Sequence, residues 1–142
     1  MKVLMAEDLK SVREHLSGLL FEARDIELRF VGQDAAPLLE SAGAWAPEVV
    51  ILDTRMRGSM TLAVIEALKK QWPRAAVVVS AFFFEPYYRE AYIRHGADFF
   101  FDKSLEWNDL IQFLRRRRDR PEADLLPELA AAGRREESLH GD

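Results

Sequence analysis

Five short apolar runs, separated by amphipathic stretches, constrain the fold of this chain more than any other feature of its sequence. The runs are rich in Val, Ile and Phe and lie at Val3–Ala6, Ile26–Val31, Val49–Leu52, Ala75–Val79 and Phe99–Phe101. Nearly continuous apolar runs of this length are typical of strands that are buried on both faces. The runs therefore predict five strands in the interior of the protein.

The stretches between these runs place apolar residues at the spacing of an amphipathic helix. Such residues recur at Val12, Leu16, Leu19 and Leu20, then at Leu62, Ile65 and Leu68, and finally at Leu110, Ile111 and Leu114. Strands that alternate with helices favour a parallel sheet with helices on both faces. The sequence therefore predicts an α/β fold made of five β-α units in series.

Capping and breaking residues predict where several of the helices begin and end. Asp34 is an acceptable N-cap and, with Pro37 in the first turn, predicts a short helix that runs to Gly43. Gly96 predicts the end of the fourth helix, and Ser104 is expected to cap the last one.

Charge and cysteine content narrow the possible classes of function. The chain has no cysteine, which excludes disulfides, thiolate metal sites and thiol nucleophiles. Its net charge is −4, whereas nucleic-acid-binding proteins usually carry a basic excess, so no direct nucleic-acid contact is expected. The longest stretch without charge, residues 75–84, is too short for a membrane span, and Glu7 and Asp8 come too early for a signal peptide. We therefore expect a soluble, cytoplasmic protein without a membrane partner.

The end of the chain differs in composition from the rest. Pro127 and Gly133 interrupt a charged segment in which Leu125, Leu126 and Leu129 are the sizeable apolar residues. So few apolar anchors cannot support a second core. We expect one domain over residues 1–117 and a charged tail over 118–142 that is partly helical or disordered and too short to be an output domain.

Polar side chains stand at the predicted carboxyl ends of four strands. Glu7 and Asp8 follow the first run, Asp53 follows the third, Ser80 follows the fourth and Lys103 follows the fifth. In open α/β sheets this edge holds the ligand crevice, at the point where the strand order reverses. If the first strand lies between the second and third, we expect three carboxylates, a hydroxyl and an ammonium group to converge there.

Such a constellation suits phosphoryl transfer. Three clustered carboxylates repel one another unless a cation neutralises them, and Mg²⁺ suits a site with few carboxylates and several waters. Aspartate can accept a phosphoryl group covalently, and the protein's task is then to position groups and neutralise charge. Lys103 and Ser80 supply a cation and a hydroxyl donor for the anionic group.

Four short motifs carry a resemblance to a known family. They are Val-Leu-Met-Ala-Glu7-Asp8, Ile-Leu-Asp53-x-x-Met56, Val-Ser80-Ala81 and Gly96-Ala97-Asp98-Phe-Phe100-x-x-Lys103. In this order they resemble the CheY-like receiver domain of two-component response regulators, over residues 1–117. The resemblance implies a doubly wound, flavodoxin-like, five-stranded parallel sheet with strand order 2-1-3-4-5.

The resemblance also implies roles for particular residues. Asp53 would be the phosphoacceptor for a histidine kinase or phosphotransfer protein, with Ser80 and Lys103 in contact with the phosphoryl group. The implied ligands of Mg²⁺ are Glu7, Asp8, Asp53 and the backbone carbonyl of Arg55. Ser80 and Phe100 stand at the switch positions of the family.

Several residues depart from the family pattern. Arg57 stands where a proline is common, Thr61 where a glycine is common, and Ser104 replaces the proline that follows the lysine. The family often has a cis peptide before that proline, and a non-proline cis bond costs about 2.5–4 kcal/mol. Phe82 and Arg55 could shield the acyl phosphate from water, so we predict slow self-dephosphorylation.

The leading hypothesis is a stand-alone regulator that is not an enzyme towards other substrates and acts through a downstream protein. The aromatic region 82–101 either packs within the domain or forms a partner surface, such as the interface of a homodimer. One alternative is a receiver cut from a longer regulator, such as a DNA-binding one, and another is a pseudo-receiver. A haloacid dehalogenase-like phosphatase is disfavoured, because it needs an aspartate two residues after the nucleophile, where this chain has Arg55.

Overall fold

The computed structural model describes residues 1–82 and 86–119, apart from the side chains of residues 86 and 87. Its strands are β1 Lys2–Ala6, β2 Glu27–Val31, β3 Val49–Asp53, β4 Ala76–Ala81 and β5 Phe99–Asp102. Its helices are α1 Lys10–Leu19, α2 Ala35–Trp45, α3 Thr61–Gln71, α4 Pro86–Arg94 and α5 Trp107–Asp119. The proposed tail, 118–142, lies almost wholly outside the described residues, so its predicted character stays a prediction.

The strands form one parallel sheet in the order β2-β1-β3-β4-β5. This confirms both the predicted α/β class and the strand order that the family resemblance implies. Because β1 lies between β2 and β3, the carboxyl ends of β1 and β3 are neighbours. The strand order reverses at this point, where open sheets of this kind place their ligand site.

The core has two layers, one on each face of the sheet. Alternate residues of the central strands point to opposite faces, so Leu4 and Leu52 belong to one layer and Val3 and Ile51 to the other. Helices α2 and α3 contribute to the first layer and α1 and α5 to the second. Each fully buried aliphatic side chain contributes about 1.5–3 kcal/mol, and these layers hold the strand ends in register.

The prediction of burial on both faces is wrong for the second run. Strand β2 lies at the edge of the sheet, where Glu27 and Arg29 are exposed, whereas every residue of β3 and β4 is buried. Charged side chains on an edge strand discourage pairing with other chains. The guanidinium of Arg29 lies 4.4 Å from the centre of the Trp45 ring and covers part of this edge.

Two predicted helix ends need correction. Helix α5 begins at Trp107, so Ser104 is not its N-cap; the backbone N–H of Ser104 instead donates to Asp102 Oδ1 at 2.7 Å. Helix α2 does follow Asp34, but the Asp34 side chain makes no capping hydrogen bond, and the helix runs past Gly43 to Trp45. Gly96 ends α4 as predicted, with a φ of 111°.

None of the helices in residues 1–82 and 86–119 is both long and apolar enough to cross a membrane.

One helix end stores backbone strain that a substitution can remove. Ala46, at the end of α2, has a φ of 52°, a conformation that costs a residue with a Cβ roughly 1–2 kcal/mol. Ala46→Gly removes this strain but adds freedom to the unfolded chain. We expect the free energy of unfolding, measured by urea denaturation, to rise by about 0.5–1 kcal/mol.

Gly58→Ala is the matched control. Gly58 has a φ of 83° and nothing within 4 Å of the position of an added Cβ, so alanine there introduces backbone strain without a clash. The free energy of unfolding of this variant should be about 1 kcal/mol lower than that of the wild type. A loss of stability in Ala46→Gly would contradict the strain assigned to Ala46.

Candidate phosphorylation site

A lysine joins two carboxylates at the carboxyl ends of β1, β3 and β5. Glu7 follows β1, Asp53 ends β3 and Lys103 follows β5. The Lys103 ammonium lies 2.7 Å from Glu7 Oε1 and 2.5 Å from Asp53 Oδ2. All three side chains are at most 1% exposed, so this is a fully desolvated charge cluster.

The remaining oxygens of this cluster accept backbone hydrogen bonds. Asp53 Oδ1 accepts the N–H of Arg55 at 2.7 Å, and Glu7 Oε2 accepts the N–H of Asp8 at 3.1 Å. In the described part of the chain, no buried side-chain polar atom is left without a partner. A buried ion cluster is tolerated when its other lone pairs are satisfied in this way.

Asp8 lies outside this buried cluster and has a different cationic partner. Its Oδ1 accepts the N–H of Gln33 at 3.0 Å, and its Oδ2 accepts Arg57 Nη1 at 2.5 Å. The same guanidinium forks onto both oxygens of Asp34, at 3.0 Å each. Hydrogen bonding to Arg57 holds the pKa of Asp8 and of Asp34 below the usual value of 3.8.

The expected convergence of the polar residues is therefore only partial. Glu7, Asp53 and Lys103 come together, but residues 1–82 and 86–119 contain no group of three acidic or histidine side chains placed to hold a metal. Lys103 lies between two of the carboxylates, and Arg57 holds the third towards Asp34. The donor set of hard carboxylate oxygens fits Mg²⁺ chemically, provided that these cations give way.

Comparison with known proteins decides the family. A model of the response regulator receiver domain matches residues 3–115. The chain belongs to this family. The sheet order and the buried aspartate at the end of β3 are what the receiver family resemblance led us to expect.

Individual relatives of this receiver include longer proteins. It is 31% identical over 80 residues to protein-glutamate methylesterase/protein-glutamine glutaminase 2 of Rhodopseudomonas palustris (strain BisB18), covering 56% of this chain and 22% of that protein. The receiver domain of NtrX from Brucella abortus is 29% identical with a TM-score of 0.69, covering 80% of this chain and 95% of that one. A longer NtrX chain aligns at 26% identity and a TM-score of 0.73, covering 92% of this chain and 29% of that one.

Ser80 lies beside the receiver's aspartate but does not bond to its carboxylate. It is the register partner of Asp53 across β3 and β4, and it is fully buried. Its hydroxyl donates to the backbone carbonyl of Leu52 at 2.9 Å. Ser80 must rotate away from this carbonyl before it can donate to a group on Asp53.

Phe100 is packed inside the receiver and contacts α4. Its ring is 1% exposed and stacks on Tyr92, with the ring centres 5.8 Å apart. Arg89 donates to the Phe100 carbonyl at 3.1 Å. Burial raises the pKa of Tyr92, and the negative charge of Asp53 raises it further, so the Tyr92 phenol feels the charge of this carboxylate.

The structure shows the surroundings of two further departures from the family pattern, Thr61 and Ser104. The Thr61 hydroxyl donates to the Asp53 carbonyl at 3.1 Å and accepts the N–H of Met56 at 3.4 Å, which pins the loop after β3. The Lys103–Ser104 peptide is trans, since residues 1–82 and 86–119 contain no cis bond.

Arg57 is the residue at the rim of the site whose contacts sequence reasoning missed. The sequence signal for these contacts is a charged residue in place of a proline, but the sequence predicts a helix cap, not an ion pair, for its partner Asp34. The backbone explains the pairing, because the N–H of Arg57 donates to the Gln33 carbonyl at 2.7 Å and its carbonyl accepts the N–H of Ala35 at 2.8 Å. This parallel bridge brings the two loops side by side.

The buried cluster predicts an asymmetric response to removal of its charges. Lys103→Met leaves two desolvated carboxylates without a cation and should lower the free energy of unfolding by about 3–5 kcal/mol. Asp53→Asn leaves Lys103 paired with Glu7 and should lower the free energy of unfolding far less. Urea denaturation of the two variants at neutral pH measures the difference.

A triple variant separates charge from packing. Adding Glu7→Gln and Asp53→Asn to Lys103→Met removes the uncompensated charges, so it should recover much of the lost stability. Equal midpoints for Lys103→Met and Asp53→Asn, or no recovery in the triple variant, would contradict the role assigned to Lys103.

Proposed function

We propose that this receiver is the phosphoryl acceptor of a two-component signalling pathway, modified at Asp53 by a histidine kinase or phosphotransfer protein. The observation that supports this best is the buried Asp53 carboxylate with the Lys103 ammonium 2.5 Å away. A desolvated carboxylate with a fixed cation is pre-arranged for a reaction that adds negative charge at this point.

The transfer converts the carboxylate to an acyl phosphate. A carboxylate oxygen of Asp53 attacks the phosphorus of the donor phosphohistidine, the P–N bond breaks, and the imidazole nitrogen keeps the electron pair and accepts a proton. Lys103 then neutralises a phosphoryl oxygen. Asp8, Asp53, the Arg55 carbonyl and the assisting Glu7 would hold Mg²⁺, which would offset further charge on the phosphoryl oxygens.

Phosphorylation would act as a switch. The protein would not catalyse a reaction on another substrate. The Ser80 hydroxyl would leave the Leu52 carbonyl for a phosphoryl oxygen, and the added negative charge at Asp53 would alter the surroundings of Tyr92. Phe100, which stacks on Tyr92, would transmit this change to α4 and β5. The output would then be a protein-interaction surface of a cytoplasmic protein.

The partner of that surface is a second element of the proposal. Tyr88 on α4 is 54% exposed, which supports a homodimer or a downstream protein contact through the 82–101 region. Residues 83–85 of this region lie outside the described part of the chain. The chain spans only 22% and 29% of two longer relatives. A receiver that works within a longer regulator is therefore the second candidate function.

The first test is direct phosphorylation. With acetyl phosphate and Mg²⁺, the wild type should gain one phosphoryl group by intact-mass spectrometry, and Asp53→Asn should gain none. Light scattering on the same samples reports whether phosphorylation changes the oligomeric state. Equal modification of Asp53→Asn would contradict Asp53 as the acceptor, and an unmodified wild type with acetyl phosphate and with phosphoramidate would contradict the proposed function.

The second test concerns the lifetime of the acyl phosphate. The Phe82 ring centre lies 4.8 Å from Lys103 Nζ, and Arg55 Nε lies 3.6 Å from Asp53 Oδ1, so both side chains limit the approach of water. Phe82→Ala and Arg55→Ala should shorten the half-life in a chase experiment several-fold. Phe21→Ala, which removes an exposed aromatic ring between α1 and β2, is the control. A wild-type half-life of seconds would contradict the proposed shielding.

A further inference from the structure

The most unusual contact near the site is the one between Arg57 and Asp8. Arg57 uses three nitrogens at once, with Nη1 on Asp8 and with Nε and Nη2 on the two oxygens of Asp34. A forked guanidinium–carboxylate pair has a defined geometry, so Asp34 fixes the direction in which Nη1 points. Asp34 and Arg57 together form a clasp, which presents one N–H donor to Asp8 Oδ2.

The clasp uses the oxygen of Asp8 that a metal would need. Asp8 Oδ1 already accepts the N–H of Gln33, and an added Cβ on Gly32 would lie 3.2 Å from it, so the main chain crowds that side. Oδ2 is the oxygen on which Arg57 lies, at 2.5 Å. A cation that binds Asp8 through Oδ2 must therefore displace the guanidinium or share the oxygen with it.

The charges around the site also identify Arg57 as the cation that a metal would displace. Glu7, Asp8, Asp34 and Asp53 carry four negative charges, and Lys103 and Arg57 offset two of them. The two lysine contacts are buried, whereas the Arg57 side chain is 53% exposed and that of Asp8 is 36% exposed. Exposed ion pairs of this kind contribute little and exchange easily, so Arg57 is the cation that can leave.

We propose that Arg57 is an intramolecular competitor of the divalent cation: its guanidinium occupies Asp8 Oδ2 when no metal is bound and withdraws to Asp34 when Mg²⁺ binds. This rests on the metal requirement of the proposed function and adds a device to it. Metal binding opens the side-chain contact between Arg57, in the loop after β3, and Asp8, after β1, while Arg57 keeps its contact with Asp34 in the turn before α2.

The loops themselves remain joined when the side chain moves. The main chain of Arg57 is bonded to Gln33 and to Ala35, at 2.7 and 2.8 Å, independently of the guanidinium. A substitution at residue 57 that keeps the backbone therefore leaves the turn in place. This makes Arg57→Gln a folded variant that lacks the competing cation, and Arg57→Lys one that keeps the charge but loses the fork.

The test is the affinity for Mg²⁺, measured by isothermal titration calorimetry on the unphosphorylated chain. Arg57→Gln should bind Mg²⁺ about 3- to 10-fold more tightly than the wild type, and Arg57→Lys should lie between them. The difference between Arg57→Gln and the wild type should shrink as NaCl is raised, because exposed charges are screened. Asp8→Asn should bind weakly whether or not Arg57 is present.

Arg13→Gln is the matched control for charge. Arg13 also lies next to the site, but its Nε donates to the Glu7 backbone carbonyl, and the direct cation on Asp8 Oδ2 is Arg57. If Arg13→Gln tightens Mg²⁺ binding as much as Arg57→Gln does, the effect is one of net charge and the competition is overturned.

Two further outcomes separate this inference from the proposed function. Equal Mg²⁺ affinity in the wild type and Arg57→Gln overturns the competition while the phosphorylation of Asp53 stands. Absence of Mg²⁺ binding in both proteins overturns the competition and the metal requirement together, and the acetyl phosphate experiment then decides separately whether Asp53 is an acceptor.

A spectroscopic readout distinguishes competition from a structural effect. In ¹H–¹⁵N spectra of the wild type, Mg²⁺ should shift the Arg57 Nε–H signal and the Gln33 amide signal with the same midpoint. The amide of Gln33 should still shift in Arg57→Gln, at lower Mg²⁺ concentration. An Arg57 Nε–H signal that does not respond while Mg²⁺ binds would overturn the displacement.

Discussion

The contact of Lys103 with Glu7 and Asp53 is the interaction on which the site depends. Its residues come from the ends of β1, β3 and β5 and are up to 96 positions apart in the chain. Only a sheet in which β1 is next to β3 can bring both carboxylates to one ammonium group. The apolar layers on both faces provide the stability that offsets the desolvation of these charges, so the fold and the site are not separable.

The charges near the site form two levels with different physical properties. The buried level, at most 1% exposed, has fixed partners and little screening, so its geometry is insensitive to salt. The outer level, Arg57 with Asp8 and Asp34, lies at the rim and is partly hydrated. Chemistry that adds a doubly charged group needs both properties, namely a rigid acceptor within and exchangeable counter-charges outside.

Sequence alone predicted what depends on periodicity and on strand ends. Continuous apolar runs predicted the parallel sheet, and the polar residues after them predicted Glu7, Asp53 and Lys103 at one edge. Prediction from the sequence failed where a contact with a distant residue outweighed a local structural preference. Asp34 was expected to cap α2, but a two-bond fork from the charged guanidinium of Arg57 is stronger than a single bond from a backbone N–H. The second run resembled the others, yet its place at the sheet edge left Glu27 exposed, and no local pattern encodes that place.

The same charge cluster connects stability with signalling. In the unmodified protein the Lys103 ammonium is shared between Glu7 and Asp53, and the Ser80 hydroxyl is held by a carbonyl of the strand next to it. In the proposed function, the oxygens of a phosphoryl group on Asp53 would compete for both donors, and Lys103 and Ser80 would meet them only by leaving their present partners. The proposed signal is then a redistribution of hydrogen-bond donors within a packed site, and we expect it to be two-state because a close-packed core does not deform continuously.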